Sequence, residues 1–268
     1  MHTPLLDQPP DKTQQCISMQ VLLFGGTGGC GSQALVRLLQ RGIEVTVIVR
    51  SEVRIPDSVK GHKLLTVVLA PGGHLCMDRS ELMELLRPCS HVISCLGHRL
   101  TFKGMCGSPR TLCTDTVRLI CELTQQLGPA SPLRLIVVNT EGCDRLDGAD
   151  PRRGCGERLL LSCLWCCLPP HRDNVGVMHY LSRKASSNSA IEFCAVRPSD
   201  MIDDEGCEFT LHETLQNGIF NAGTTRRANV GAFMADLVTK SNLWETWKNK
   251  FPHILDVVVS PLAERKFK

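Results

Sequence analysis

The chain has 268 residues, 43% of them hydrophobic, and a formal net charge of +3. That length and apolar share can fill one large core, and a nearly balanced charge without a basic block argues against a nucleic-acid partner. Its 15 cysteines would suit a disulfide scaffold only in a shorter, loop-rich chain, so they read as reduced, small apolar side chains. The start lacks the basic and apolar regions of a secretory leader, which gives the expectation of a cytoplasmic protein.

Residues 1–18 are polar and proline-containing and read as a flexible tail; residues 19–268 read as a single domain. The apolar run Val21–Phe24 ends in Gly25-Gly26-Thr27-Gly28-Gly29-Cys30-Gly31, and an amphipathic pattern with Ala34, Leu35, Leu38 and Leu39 on one face follows. Strand, glycine turn and helix in that order form a dinucleotide-binding arrangement. The glycines allow a tight turn and close approach of a pyrophosphate, which then faces the helix N-terminus. A second strand, Glu44–Val49, ends at Arg50, about twenty residues beyond the glycines, where an acidic residue would hold the ribose 2′-hydroxyl of NAD. Arginine there suits the 2′-phosphate of NADP.

Further strands are expected at Leu64–Leu69, His91–Leu96, Leu133–Val138 and Ile191–Val196. Helices are expected at Ser80–Leu86, Arg110–Leu127 and Asp173–Ala185, with Asp173 or Asn174 capping the last. This alternation predicts an α/β fold, a doubly wound parallel sheet with right-handed crossovers. After Pro198 the pattern becomes irregular, with a helix at Asn229–Lys240 and a tail strand at Ile254–Val259. Residues of about 199–253 read as a small substrate-side lobe over the carboxyl ends of the strands, with Trp244 and Trp247 packing it. Leu159–Leu168 is too short to span a bilayer and reads as a core helix or an apolar pocket wall that includes Trp165. Cys163, Cys166 and Cys167 lack the second ligand pair a zinc site would want.

These pieces resemble the atypical short-chain dehydrogenase/reductases, in particular the NmrA-like NAD(P)-binding proteins, whose relatives include biliverdin IXβ/flavin reductase. The resemblance rests on FGGTGGCG, VTVIVRS, VISCLG, LIVVNTEG and AVRPSDMID. It implies that Gly25, Thr27, Gly28, Gly29, Cys30 and Gly31 cradle the pyrophosphate. Arg50, with Ser51 and Arg54, would meet the 2′-phosphate. Cys95, Leu96 and Gly97 would pass under the ribose and diphosphate. Asn139, Thr140 and Pro198 would flank the nicotinamide of NADP (NADPH). One departure is Ala70-Pro71-Gly72-Gly73, where such proteins often carry an aspartate near the adenine.

Tyr180 and Lys184 fit the Tyr-x-x-x-Lys spacing, which places a proton-donating phenol beside a lysine on one helical face. However, Tyr180 lies closer to Arg197-Pro198 than the family pattern has it, and a stripe of Val177, Leu181 and Ala185 favours a boundary residue of an amphipathic helix over an essential acid. Thr140, Asn174 and His171 are the other candidate proton donors, and His98 can face either the site or solvent. The functional expectation is an NADPH-dependent reductase acting on a small apolar acceptor, as monomer or homodimer. The alternatives are a non-catalytic NADP(H) sensor working through a protein partner, and an isomerase or epimerase with bound NAD(P).

Overall fold

The computed structural model describes residues 19–98, 101, 107–183 and 188–257. The expected tail at 1–18, Lys184 and the end of the tail strand lie outside the described residues. An eight-stranded sheet runs in the order β3-β2-β1-β4-β5-β6-β10-β8. Its strands are β1 (Gln20–Phe24), β2 (Glu44–Val49), β3 (Leu65–Leu69), β4 (His91–Ser94), β5 (Leu133–Val138), β6 (Ile191–Pro198), β8 (Phe209–His212) and β10 (His253–Asp256). All pairings are parallel except that of β8 with β10. Two short strands, β7 (Asp200–Ile202) and β9 (Thr224–Arg226), pair apart from it. The chain reverses direction across the sheet between β1 and β4, which opens a crevice at the carboxyl ends of those strands.

Both faces are covered. Val21 and Leu23 of β1 point to one side and Leu22 and Phe24 to the other, all within 2% of full burial, so the strand reads as a continuous apolar run. On the first side lie α1 (Gly29–Gln40), α6 (Arg227–Thr239) and α7 (Ser241–Trp247). On the second lie α2 (Arg79–Leu86), α3 (Leu112–Leu127) and α5 (Pro169–Arg183). The segment expected to form a substrate-side lobe therefore divides. β7 and β9 pair apart from the main sheet, β8 joins its edge beside β10, and α6 and α7 return to the core beside α1. Gly231 permits this, because a Cβ there would lie 2.4 Å from the Gln33 Cβ and 2.9 Å from the Ala34 nitrogen. Trp244 accordingly packs on the sheet, donating Nε1–H to Glu192 at 2.9 Å under the Arg134 guanidinium.

Two local expectations are corrected. The expected core helix is α4 (Cys155–Cys167), and it buries no residue: it packs against α5, on a side of the sheet already filled by α3 and α5. Asp173 does not cap its own helix. That helix starts at Pro169, since prolines are tolerated in a first turn, so Asp173 sits a turn inside and faces α3. Its carboxylate accepts from the Cys113 and Thr114 amides at 2.8 and 2.9 Å, capping α3 instead.

Candidate functional site

The crevice is a cleft of about 540 Å³. Its floor is the β1–α1 turn. Gly25 has φ +76°, and a Cβ there would meet the Cys95 carbonyl oxygen at 2.5 Å, so only glycine brings this turn against the end of β4. Gly31 is equally confined: a Cβ would lie 2.1 Å from the Gly25 oxygen. It serves the packing of α1 on the turn and does not line the cleft. Gly28 is different. Its backbone is extended (φ −90°, ψ 171°), and it opens into the cleft with Thr27, Gly29 and Cys30. The first turn of α1 has neither a side-chain cap nor an acidic residue, so its amides and the positive end of the helix dipole are left for an anion.

Around this floor stand Arg50 and Arg54 after β2, Ala70, Gly72, Gly73 and His74 after β3, and Cys95, Leu96, Gly97 and His98 after β4. Arg227 at the start of α6 closes the other side, with its Cδ 2.3 Å from where a Gly29 Cβ would be. It also pairs with Asp203 at 2.9 Å. The lining thus holds three arginines and, among the described residues, no carboxylate. Its apolar part comes from Ile48, Leu112, Val138 and Met201. Burial, with the Arg50 charge adding to it, pushes His74 down to about 4. His74 is therefore neutral at physiological pH and bonds Thr116 Oγ1 at 2.6 Å. Burial raises the Cys30 thiol to about 11, which keeps it un-ionised at physiological pH.

A family model described as NAD(P)H-binding matches residues 25–241, which carry this cleft. The chain belongs to the NAD(P)H-binding family. Among proteins of curated function, none matches it in sequence. Solved structures agree on the fold. A wide-type short-chain dehydrogenase/reductase from Veillonella parvula, solved with NADP, is 16% identical with a TM-score of 0.60, covering 89% of this chain and 94% of its own. The anaerobillin reductase ChuY of Escherichia coli O157:H7 is 18% identical with a TM-score of 0.62, covering 91% and 100%. A putative NADH-flavin reductase from Streptococcus pneumoniae is 20% identical with a TM-score of 0.57, covering 89% and 100%.

An NAD(P)H molecule suits this site on the chemistry of its donors: a glycine floor that a Cβ would obstruct, an uncapped helix N-terminus and a lining whose charged side chains, among the described residues, are arginines. The other family-derived positions lie apart from the cleft lining. Ser51 is exposed, and its Oγ accepts from the Val53 amide. Asn139 is buried at the end of β5, donating Nδ2–H to the Asn174 carbonyl at 3.2 Å and accepting from the Thr140 amide at 2.9 Å. The Thr140 hydroxyl accepts from the Gly142 amide, and the Gly142 Cβ position lies 3.6 Å from the His171 ring. Asn139, Thr140, His171 and Asn174 thus form one group at the carboxyl end of β5. The Pro198 carbonyl accepts from the Glu141 amide, joining the ends of β5 and β6.

Tyr180 faces α3. It lies under the Arg118 guanidinium, 5.8 Å from ring centroid to Cζ, and beside Cys121. Burial raises its phenol to about 12, opposite to the lowering that a lysine-assisted proton donor needs. Two residues of the lining, Arg227 and His74, carry no sequence signal of their own, and for a third, His98, the sequence left site and solvent both open. Arg227 reaches the glycine turn only because α6 docks on α1. His74 follows an unremarkable Gly-Gly turn. His98 is oriented across the fold by Asp173, at 2.9 Å from Nε2. Its position directly after the VISCLG run allowed this placement, and the tertiary contact with Asp173 decides it.

Proposed function

We propose that the protein is an NADPH-dependent reductase acting on a small apolar acceptor: a carbonyl compound, an enone, a quinone or a tetrapyrrole. The observation that supports this most is the cleft lining, with Arg50 and Arg54 beside the β2 end and, among the described residues, no carboxylate to receive a ribose hydroxyl. When bound, the nicotinamide supplies hydride, as in other proteins using this cofactor. The protein's part is to hold the phosphates on the α1 turn and Arg227, the 2′-phosphate on Arg50 and Arg54, and an apolar acceptor among Leu112, Val138 and Met201. That apolar lining also excludes water from the reacting faces. Within the lining, His98 is the imidazole held by a buried carboxylate, and its role here is to supply a proton to the reduced acceptor. Thr140, Asn174 and His171 stand at the carboxyl end of β5 as a reserve for the same role if the acceptor reaches past Val138.

A second reading, a non-catalytic NADP(H) sensor, draws support from the removal of Tyr180 from the cleft. One experiment separates the two. Titration calorimetry with NADPH and NADH establishes binding, and NADPH oxidation is then followed against quinones, flavins, enones and linear tetrapyrroles. Tight NADPH binding with turnover of one acceptor class supports the reductase. Tight binding with no turnover across the panel supports the sensor. Failure to bind either nucleotide sinks both.

A further inference from the structure

Alone among the seven described helices, α4 has no buried residue, yet its sequence is Cys-Gly-Glu-Arg-Leu-Leu-Leu-Ser-Cys-Leu-Trp-Cys-Cys. At 100° per residue, Cys155, Leu159, Cys163 and Cys166 form one stripe, and all four are exposed. Leu159 is 68% exposed, and Trp165, 49% exposed, lies about 80° around the helix from Cys155, beyond Ser162 and next to Arg158. The ring of Phe220, 69% exposed, extends the patch: it lies 3.5 Å from the Gly156 Cβ position. A contiguous apolar surface of this kind marks an interaction site.

Charge selects the occupant. Arg158 lies beside the stripe, Arg152 just before the helix and Arg172 in the first turn of the next helix; all three are exposed, and no ion pair joins them to the described residues. Glu157 is the only acidic residue between 152 and 172. A second copy of the chain docking by two-fold symmetry would bring the same arginines to face one another, which opposes that arrangement. An anionic bilayer supplies both complements at once, acidic headgroups for the arginines and an apolar layer for the stripe. Thirteen residues make a helix of about 20 Å, too short for a hydrocarbon core of about 30 Å, so the helix would lie in the plane of the surface. A tryptophan to the side of the stripe is suited to the headgroup boundary.

We propose that α4 is a peripheral membrane-contact helix, which lays its Leu159–Cys163–Cys166 stripe and Trp165 into the surface of an anionic bilayer with Arg152, Arg158 and Arg172 at the headgroups. This does not depend on the reductase reading. The test uses the full chain and vesicles of phosphatidylcholine with or without phosphatidylserine. Trp244 and Trp247 are 0% and 7% exposed, so quenching of tryptophan fluorescence by brominated lipid reports on Trp165. We expect co-flotation and quenching with phosphatidylserine vesicles only. Each of R152E, R158E and R172E should weaken partitioning by at least about fivefold, the effect of one basic residue at such a surface. L159E should abolish quenching while leaving NADPH binding and circular dichroism unchanged. Absence of flotation, or equal binding to neutral vesicles, would overturn the proposal. So would a dimer, seen by sedimentation, that L159E dissociates in the absence of any vesicle binding, since the patch would then belong to a second copy.

Discussion

Arg197 and Asp150 form a two-pronged ion pair sealed from water. Arg197 Nη1 and Nη2 reach the two carboxylate oxygens at 2.6 and 3.0 Å, with the side chains 0% and 3% exposed. Arg197 Nε also donates to the Phe251 carbonyl, and Asp150 accepts from the Arg145 and Leu215 amides. This arginine, part of the Arg-Pro pair at the end of β6, thus ties the β5–α4 loop to β6 and to the chain before β10. Asp150→Asn leaves Arg197 buried with a lost counter-charge and should destabilise the protein by about 3–5 kcal/mol, the cost of breaking a buried pair from one side. Chemical denaturation measures it.

The same pair sets a pH dependence. Burial raises the Asp150 carboxyl, but the hydrogen bonds and charge of Arg197 outweigh this, and its pKa falls below the ordinary value. A depressed native pKa means that the stabilisation is complete at neutral pH. It erodes as the pH drops below the ordinary aspartate value near 3.9, where the unfolded chain takes up a proton first, and is gone once the pH passes the native value. Acid unfolding curves should therefore be less steep in Asp150→Asn than in the parent. Parallel curves would mean that other carboxylates carry the acid transition.

Arg50→Ala should lose about 1.5–3 kcal/mol of NADPH affinity, as for a hydrogen bond to a charged group, with NADH affinity unchanged. Calorimetry with both nucleotides decides it. Equal affinities for the two in the parent protein would remove the basis for a 2′-phosphate site.

Two glycines of one turn should respond differently. Gly28 is extended and lines the cleft, and its Cβ position lies 3.3 Å from the Gly25 oxygen, so Gly28→Val should fold with a smaller loss of stability than Gly31→Ala and block the nucleotide. Gly31 has the Gly25 oxygen 2.1 Å from its Cβ position, so Gly31→Ala should lower the melting temperature by several degrees, corresponding to the 1–3 kcal/mol typical of overpacking. A folded Gly28→Val that binds NADPH at full strength would displace the pyrophosphate from this turn.

Tyr180→Phe should keep most of whatever reductase activity is found, because the phenol packs on α3 and its pKa is raised. His98→Asn should instead reduce kcat by a hundredfold or more, the scale of a lost general acid, without weakening NADPH binding. The reverse pattern in these two variants would return the proton to Tyr180.

The sheet was legible in the chain itself. Glu44–Val49 and Leu133–Val138 stand as strands where the apolar runs placed them, because a strand buried on both faces must be apolar throughout. The glycine turn was legible because two of its demands are local: Gly25 takes φ +76°, and Gly31 has the Gly25 oxygen 2.1 Å from its Cβ position. What the sequence could not determine was which long-range partner each helix takes. α6 returns to α1 instead of forming a lobe, bringing Arg227 to the turn, through a close approach at Gly231 that no period reveals. Asp173 caps α3 and orients His98 because α5 begins a turn earlier than its apolar pattern suggests. Tyr180 keeps the spacing of a catalytic pair, yet the helix rotation set by Val177 and Leu181 turns it toward α3. Likewise α4 has the composition of a core helix, but both faces of the sheet were already covered, and only the tertiary packing decides which apolar residues remain at the surface.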